Sequence, residues 1–147
     1  MMINNVIFDL DGTLCNDKHR NKYAEEKRWD EYHALCYKDI PNKDVAGFMR
    51  VCSKHVPRVL IMTGRPCKYR ENTLKWLEKY DLVCDTLIMR PENNFDSNFE
   101  LKLGFVKAFY GSLTNARQLI TMMLEDNART IKHFRDYGFN VWACENE

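Results

Sequence analysis

Two aspartates one residue apart, Asp9 and Asp11, close an apolar run and are followed at once by Gly12-Thr13. Successive side chains of a strand point to opposite faces, so carboxylates at i and i+2, where a strand stops, can face one mouth. Hard cations favour such oxygens, and Mg2+ takes one or two carboxylates together with phosphate oxygens and waters. An aspartate held beside a metal can also attack phosphorus. Further along lie Thr63-Gly64, which ends a second apolar run, Lys102, near the start of a helix, and Glu125-Asp126, which ends a third run. Together these make a metal-plus-phosphate inventory. The acids hold a cation, the Thr63 hydroxyl and Gly64 amide donate to phosphate oxygens, and Lys102 neutralises charge on the transferring group. Lys102 is preferred to Lys107 on the same helix because it lies nearer the helix start.

The elements that must position these groups read as follows. Buried strands are expected at residues 4–9, 58–62, 86–89, 119–124 and 139–143, all apolar on both faces, as in a sheet covered by helices on both sides. Helical patterns lie between them: Val45, Phe48, Met49 and Cys52; the stretch from Lys68 through Leu74 and Leu77 to Tyr80; Leu101, Phe105, Ala108 and Phe109; and Ile131, Phe134 and Tyr137, with Gly138 as a C-cap. Such alternation implies an α/β fold, a central parallel sheet flanked by helices with right-handed crossovers. Ligands of open parallel sheets bind outside the carboxyl ends of the strands, the edge where the polar clusters fall. Residues 15–43 break the rhythm. They carry no strand pattern and read as one or two short helices and a turn at Ile40-Pro41-Asn42, a small cap inserted after the first strand.

With 147 residues, 45% hydrophobic and 29% charged, the chain is expected to form one globular domain. A net charge of +1 excludes a strong overall field for polyanions. Residues 17–44 hold seven acidic and seven basic side chains, a mixed surface rather than a basic track. The start lacks the pattern of a signal peptide, and no run suits a bilayer, so no membrane association is expected. The six cysteines form no Cys-x-x-Cys pair and read as reduced thiols of a cytoplasmic protein. No obligate protein partner is evident.

The set Asp9-Leu10-Asp11-Gly12-Thr13, Leu60-Ile61-Met62-Thr63-Gly64-Arg65, Lys102 and Glu125-Asp126 resembles the motifs of the haloacid dehalogenase (HAD) phosphohydrolases. The resemblance implies a Rossmann-like fold and an aspartyl-phosphate mechanism. Asp9 would be the nucleophile, and Asp11 the acid and then the base. Mg2+ would be held by Asp9, the Asp11 backbone carbonyl and Asp126. Glu125 stands where an aspartate is more usual and is assigned a supporting part. The segments His19-Arg20 and Trp29-Asp30, the Arg70, Thr73, Trp76-Leu77 helix, and Leu87-Ile88-Met89-Arg90-Pro91 are similar to the phosphatase domain of polynucleotide kinase-phosphatase. That implies removal of 3′-phosphates from nucleic-acid ends. No Gly-x-x-x-x-Gly-Lys-Ser/Thr loop occurs, so a phosphatase without a kinase half is expected. A nucleotidase acting on free (deoxy)nucleoside monophosphates is the alternative, and a non-catalytic binding module of the same fold is the reading from another class.

Arg65 and Arg90 both follow strand ends. Each is assigned to substrate binding, with pairing to a carboxylate as the competing reading for both. Trp29, Tyr32 and Tyr23 either stack on a base or pack the cap onto its core. His19 and His33 are expected to be hydrogen-bonding or surface residues rather than metal ligands.

Overall fold

The computed structural model describes residues 2–147. Five strands form one wholly parallel sheet: β1 (Asn5–Phe8), β4 (Arg58–Pro66), β5 (Thr86–Arg90), β6 (Ile120–Glu125) and β7 (Val141–Ala143), in the spatial order β5-β4-β1-β6-β7. The double-sided apolar character of these runs has a direct cause. Val6, Phe8, Val59 and Ile61 face one core, shared with Met49, Cys52, Trp76 and Leu77 of α3 (Lys43–His55) and α4 (Arg70–Lys79). Their neighbours Ile7, Leu60 and Met62 face the other, shared with Val106, Tyr110, Ile131 and Phe134 of α5 (Asn98–Tyr110) and α7 (Ala128–Asp136). The chain is thus an α/β three-layer fold, as expected.

Local chemistry sets the helix ends near the carboxyl edge. Ser97 caps α5 by accepting from the Glu100 amide at 3.3 Å, and Glu100 stands at the capping-box position. Asn127 caps α7, accepting from the Thr130 amide at 2.9 Å. At its other end, toward the amino edge, Gly111 at φ +79° ends α5 in the left-handed conformation.

Three expectations need correction. The Thr63-Gly64-Arg65-Pro66 stretch continues β4 rather than turning away from it. A short helix, α6 (Leu113–Leu119), precedes β6, and the apolar pattern there did not separate the two. Residues 15–43 do contain strands. β2 (Cys15–Asn16) and β3 (Ile40–Pro41) form a two-stranded antiparallel ladder, so Ile40-Pro41 is a strand and not a turn. Two residues on each side are too few to register as an alternating pattern. Between them lie α1 (Asn21–Glu25) and α2 (Trp29–Ala34), with single 3-10 turns at Lys18–Arg20 and Cys36–Lys38. All six cysteines are free thiols. No helix among the described residues is long and apolar enough to cross a membrane.

Candidate active site

The strand order places the polar clusters together. From β1 the chain moves outward to β4 and β5, then returns to the other side of β1 as β6. Phe8 is in register with Ile61 of β4 and Leu124 of β6, so Asp9, Thr63 and Glu125 emerge at one edge. The reversal of strand order at β1 is the kind of crevice where open sheets bind ligands. A cavity of about 810 Å3 opens there, bordered by Asp9, Asp11, Thr63, Lys102, Glu125 and Asp126 among others.

Asp9 lies on the same face as Ile7, toward α5. Its amide still bonds to the Leu124 carbonyl at 2.9 Å, so the backbone ladder carries the residue past the formal end of β1. Its carboxylate accepts from Lys102 Nζ at 2.7 Å on one oxygen and from Thr13 Oγ1 at 2.8 Å on the other. Lys102 also donates to Glu125 Oε2 at 2.5 Å. It is 3% exposed, whereas Lys107 is exposed, so Lys102 is the lysine that reaches the aspartate. Burial disfavours its charge, but Asp9 and Glu125 outweigh that and hold its pKa above the ordinary lysine value.

Glu125 is occupied on both oxygens, by Lys102 on one and by the amides of Asp126 and Asn127 at 3.1 and 3.2 Å on the other. Asp126 has no cationic partner among the described residues. The residue is exposed at the cavity, but desolvation of its carboxyl by the neighbours that crowd it and the charges of Asp9 and Glu125 push its pKa up. Oxygens of Asp9, Glu125 and Asp126 lie within 4.8 Å of one another. This crowded, hard-oxygen, incompletely neutralised cluster is the donor set that suits Mg2+, so the residues fit the expected ion. Gly12 makes the approach possible. It adopts φ +80°, and a Cβ there would sit 2.1 Å from Asp126 Oδ2.

Asp11 turns away from this cluster toward two arginines. Arg20 reaches its Oδ1 at 2.5 Å, and Arg65 pairs with the same oxygen. Burial would raise the Asp11 pKa, but Arg65 and Arg20 pull it well below the usual carboxylate range. Arg20 is fully buried. It also grips Asp39 at 2.8 and 2.5 Å, donates to the Tyr32 carbonyl at 3.2 Å, and lies 4.1 Å from the centre of the Tyr32 ring. Asp39 is a site residue that the sequence does not single out, and Arg20 enters only within the His19-Arg20 resemblance, with no role assigned. The even mixture of charges in residues 17–44 gave no signal for which pair would be buried.

Arg65, left open between phosphate contact and a carboxylate pair, makes the carboxylate pair. It is 1% exposed and also donates to Thr73 Oγ1 at 2.9 Å. Thr63 accepts from the Arg65 amide at 3.0 Å, which leaves its own hydroxyl proton for another acceptor. Gly64 is tightly approached, since a Cβ would meet Asn98 Oδ1 at 2.3 Å. Arg90 borders the cavity but directs its guanidinium at backbone and amide oxygens, those of Gly64 (3.0 Å), Asn94 (2.9 and 3.3 Å), Asp96 (2.8 Å) and Asn98 (3.1 Å). Of the aromatics, Tyr32 is buried and hydrogen-bonds Asp17, Trp29 is exposed at the cavity, and Tyr23 does not border it. His19 pairs with Asp39 at 2.7 Å, and His33 packs between aromatic rings.

Comparison with solved structures places this geometry among known folds. The chain superposes on chains of two structures of the Pnkp1/Rnl/Hen1 RNA repair complex, each with TM-score 0.79, at 23% and 22% identity. In each, 99% of this chain is covered, but only 46% and 43% of the other, so the chain spans less than half the length of those neighbours. A haloacid dehalogenase-like family hydrolase from Streptococcus pneumoniae aligns with TM-score 0.65 and 11% identity, over 99% of this chain and 87% of its own. A comparison with curated proteins gave no match. The family model described as the polynucleotide kinase PNKP phosphatase domain matches residues 3–147, nearly the entire sequence. The chain therefore belongs to the PNKP phosphatase-domain family and is a HAD-type phosphatase.

Proposed function

We propose that this phosphatase removes the 3′-phosphate from a nucleic-acid end, with Mg2+ and by way of an aspartyl-phosphate on Asp9. The observation that carries the reading is the setting of Asp9, buried to 7% exposure, oriented by Lys102 and Thr13, and open to a cavity large enough for a nucleotide. An Asp9 oxygen attacks phosphorus and the bond to the ester oxygen breaks. That oxygen leaves with a proton from Asp11. Water then attacks the acyl phosphate, Asp11 takes its proton, and inorganic phosphate departs. Thr63 and the Gly64 amide receive the phosphate oxygens, and Lys102 balances the charge gathered between Asp9 and Glu125.

Asp11 is ionised in the geometry described, the form that accepts a proton from water. Donating one requires it to be protonated and released from Arg20 and Arg65 when the substrate enters. Asp9, the Asp11 carbonyl and Asp126 would hold Mg2+, with Glu125 orienting the adjoining backbone. When bound, the ion neutralises charge so that an anionic phosphate can approach an anionic nucleophile. We read residues 15–43 as the small cap and Arg20 as the link between it and Asp11.

The test is steady-state kcat/KM on a 3′-phosphorylated oligonucleotide against free 3′- and 5′-mononucleotides, with and without a chelator and with Asp9→Asn as control. The reading expects the oligonucleotide to be preferred, and the chelator and the control to abolish turnover. A preference for the mononucleotides would make the protein a nucleotidase. Activity that survives in folded Asp9→Asn would remove the nucleophile assignment.

A further inference from the structure

Eight carboxylates and four basic side chains border the cavity, and three of the four basic groups are held by the protein. Arg65 is buried against Asp11, Lys102 lies between Asp9 and Glu125, and Arg90 binds backbone and amide oxygens, which leaves Lys68, in an exposed 3.4 Å pair with Asp30, as the single cation among the described cavity residues open to a phosphate. A mouth of this kind offers little to the internucleotide phosphates of a strand. It does offer aromatic surface. Among the exposed large apolar side chains of the described residues, Trp29 and Phe95 alone border the cavity, one from α2 and one from the loop between β5 and α5.

Phe95 is 91% exposed and Trp29 52%. An isolated exposed apolar side chain needs no special cause, but the backbone beneath Phe95 is built to hold it in place. Arg90 grips the carbonyls on both sides of it, Asn94 at 3.3 Å and Asp96 at 2.8 Å, and ties the same loop to Gly64 at 3.0 Å. An arginine that anchors this loop to the active-site strand fixes a ring that has almost no protein packing of its own. Trp29 stacks on His33 one turn along the same helix, α2, with centroids 6.4 Å apart and planes at 29°.

We propose that Phe95 and Trp29 form the specificity-determining contact of this site, stacking on the nucleobases at the 3′ end, so that the enzyme recognises bases rather than backbone phosphates. This rests on the phosphatase reading above and deepens it. Every base presents a π face, so the contact is tolerant of sequence. Arg90 acts as a positioning residue for Phe95.

The experiment compares a short 3′-phosphorylated oligonucleotide with the same strand whose terminal sugar lacks its base, for wild type, Phe95→Ala, Phe95→Trp and Trp29→Ala. Wild type is expected to favour the base-bearing substrate in kcat/KM by about 5- to 150-fold, the range expected for losing one aromatic stack. Phe95→Ala and Trp29→Ala should each lose a large part of that preference through KM and match wild type on the base-less substrate, Phe95→Trp should restore it, and a Trp29→Ala variant that keeps the full preference would remove Trp29 from the contact. Equal treatment of the two substrates by wild type would overturn the proposal, as would an equal loss on both in Phe95→Ala. Should wild type hydrolyse neither, the phosphatase reading fails. Anisotropy binding of the two labelled strands then decides this one: tighter binding of the base-bearing strand, lost in Phe95→Ala, supports it, and equal binding overturns it.

Discussion

Replacing Arg20 by methionine should cost more stability than any single surface change in this protein, and the structure sets the scale. The guanidinium is fully buried and makes four hydrogen bonds, two to Asp39, one to Asp11 and one to the Tyr32 carbonyl, while lying over the Tyr32 ring. Asp39 is itself 1% exposed. Without Arg20 it keeps only His19 at 2.7 Å and a distant Arg65 at 3.8 Å. Breaking a buried pair on one side costs about 3–5 kcal/mol, because the remaining charge is stranded. With urea m-values of about 1–3 kcal/mol/M, the midpoint should fall by roughly 2 M. The double variant Arg20→Met/Asp39→Leu removes both charges and should recover about 2 kcal/mol or more of the loss. The loss should also shrink in acid. Burial already pushes the Asp39 carboxyl up, and without Arg20 it rises further. The folded variant then binds a proton that the unfolded chain releases, so its stability falls as pH rises through that raised value. Urea melts at about pH 5 and about pH 7.5 read this directly. The reasoning is refuted if Arg20→Met stays within ~1 kcal/mol of wild type, or if the double variant is no more stable than the single one.

Gly12→Ala combines a φ of +80° with a Cβ 2.1 Å from Asp126 Oδ2. It should destabilise by about 1–3 kcal/mol and raise the Mg2+ concentration needed for half-maximal rate; an unchanged metal titration would count against the placement of Asp126. Glu125→Ala leaves Lys102 with Asp9 alone and two backbone amides without their acceptor, and should lower the melting temperature more than Asp126→Ala, whereas Asp126→Ala should raise the Mg2+ requirement more. The opposite order in either measurement would show that the roles in the pair are exchanged. Burial holds His33 down to about 4 from an ordinary 6.5, even though Asp11 nearby pulls the other way. The unfolded state therefore binds the extra proton, and stability falls as pH drops through that window, by at most about 3 kcal/mol. His33→Gln should flatten this part of the urea-stability profile, and an unaltered slope would refute the assignment.

The sequence alone carried the element types and the chemical inventory. The runs at β1, β4 and β6 are apolar on both faces because each strand is covered on both, a signal any residue-by-residue reading meets. Asp9, Asp11, Thr63 and Glu125-Asp126 stand out as a set: each alone could be an ordinary turn or cap residue, but acids and a hydroxyl at the ends of parallel runs fall on one sheet edge. Other features depended on contacts between distant parts of the chain. The order β5-β4-β1-β6-β7, which sets Asp9 between Thr63 and Glu125, follows from how the crossovers pack, and no local pattern encodes it. The ladder of β2 and β3 pairs Cys15 with Pro41 and Asn16 with Ile40, residues far apart in the chain that no local pattern links. Partners of charged side chains were the least legible of all. Arg65 lies next to Thr63-Gly64 yet turns to Asp11. Arg20 comes from the inserted segment to meet it there, and Arg90 is absorbed by the loop that carries Phe95. A charge can be read from sequence, but its burial and its counter-charge are decided when elements far apart in the chain close over it. Desolvation makes pairing obligatory there, and only tertiary structure says with whom.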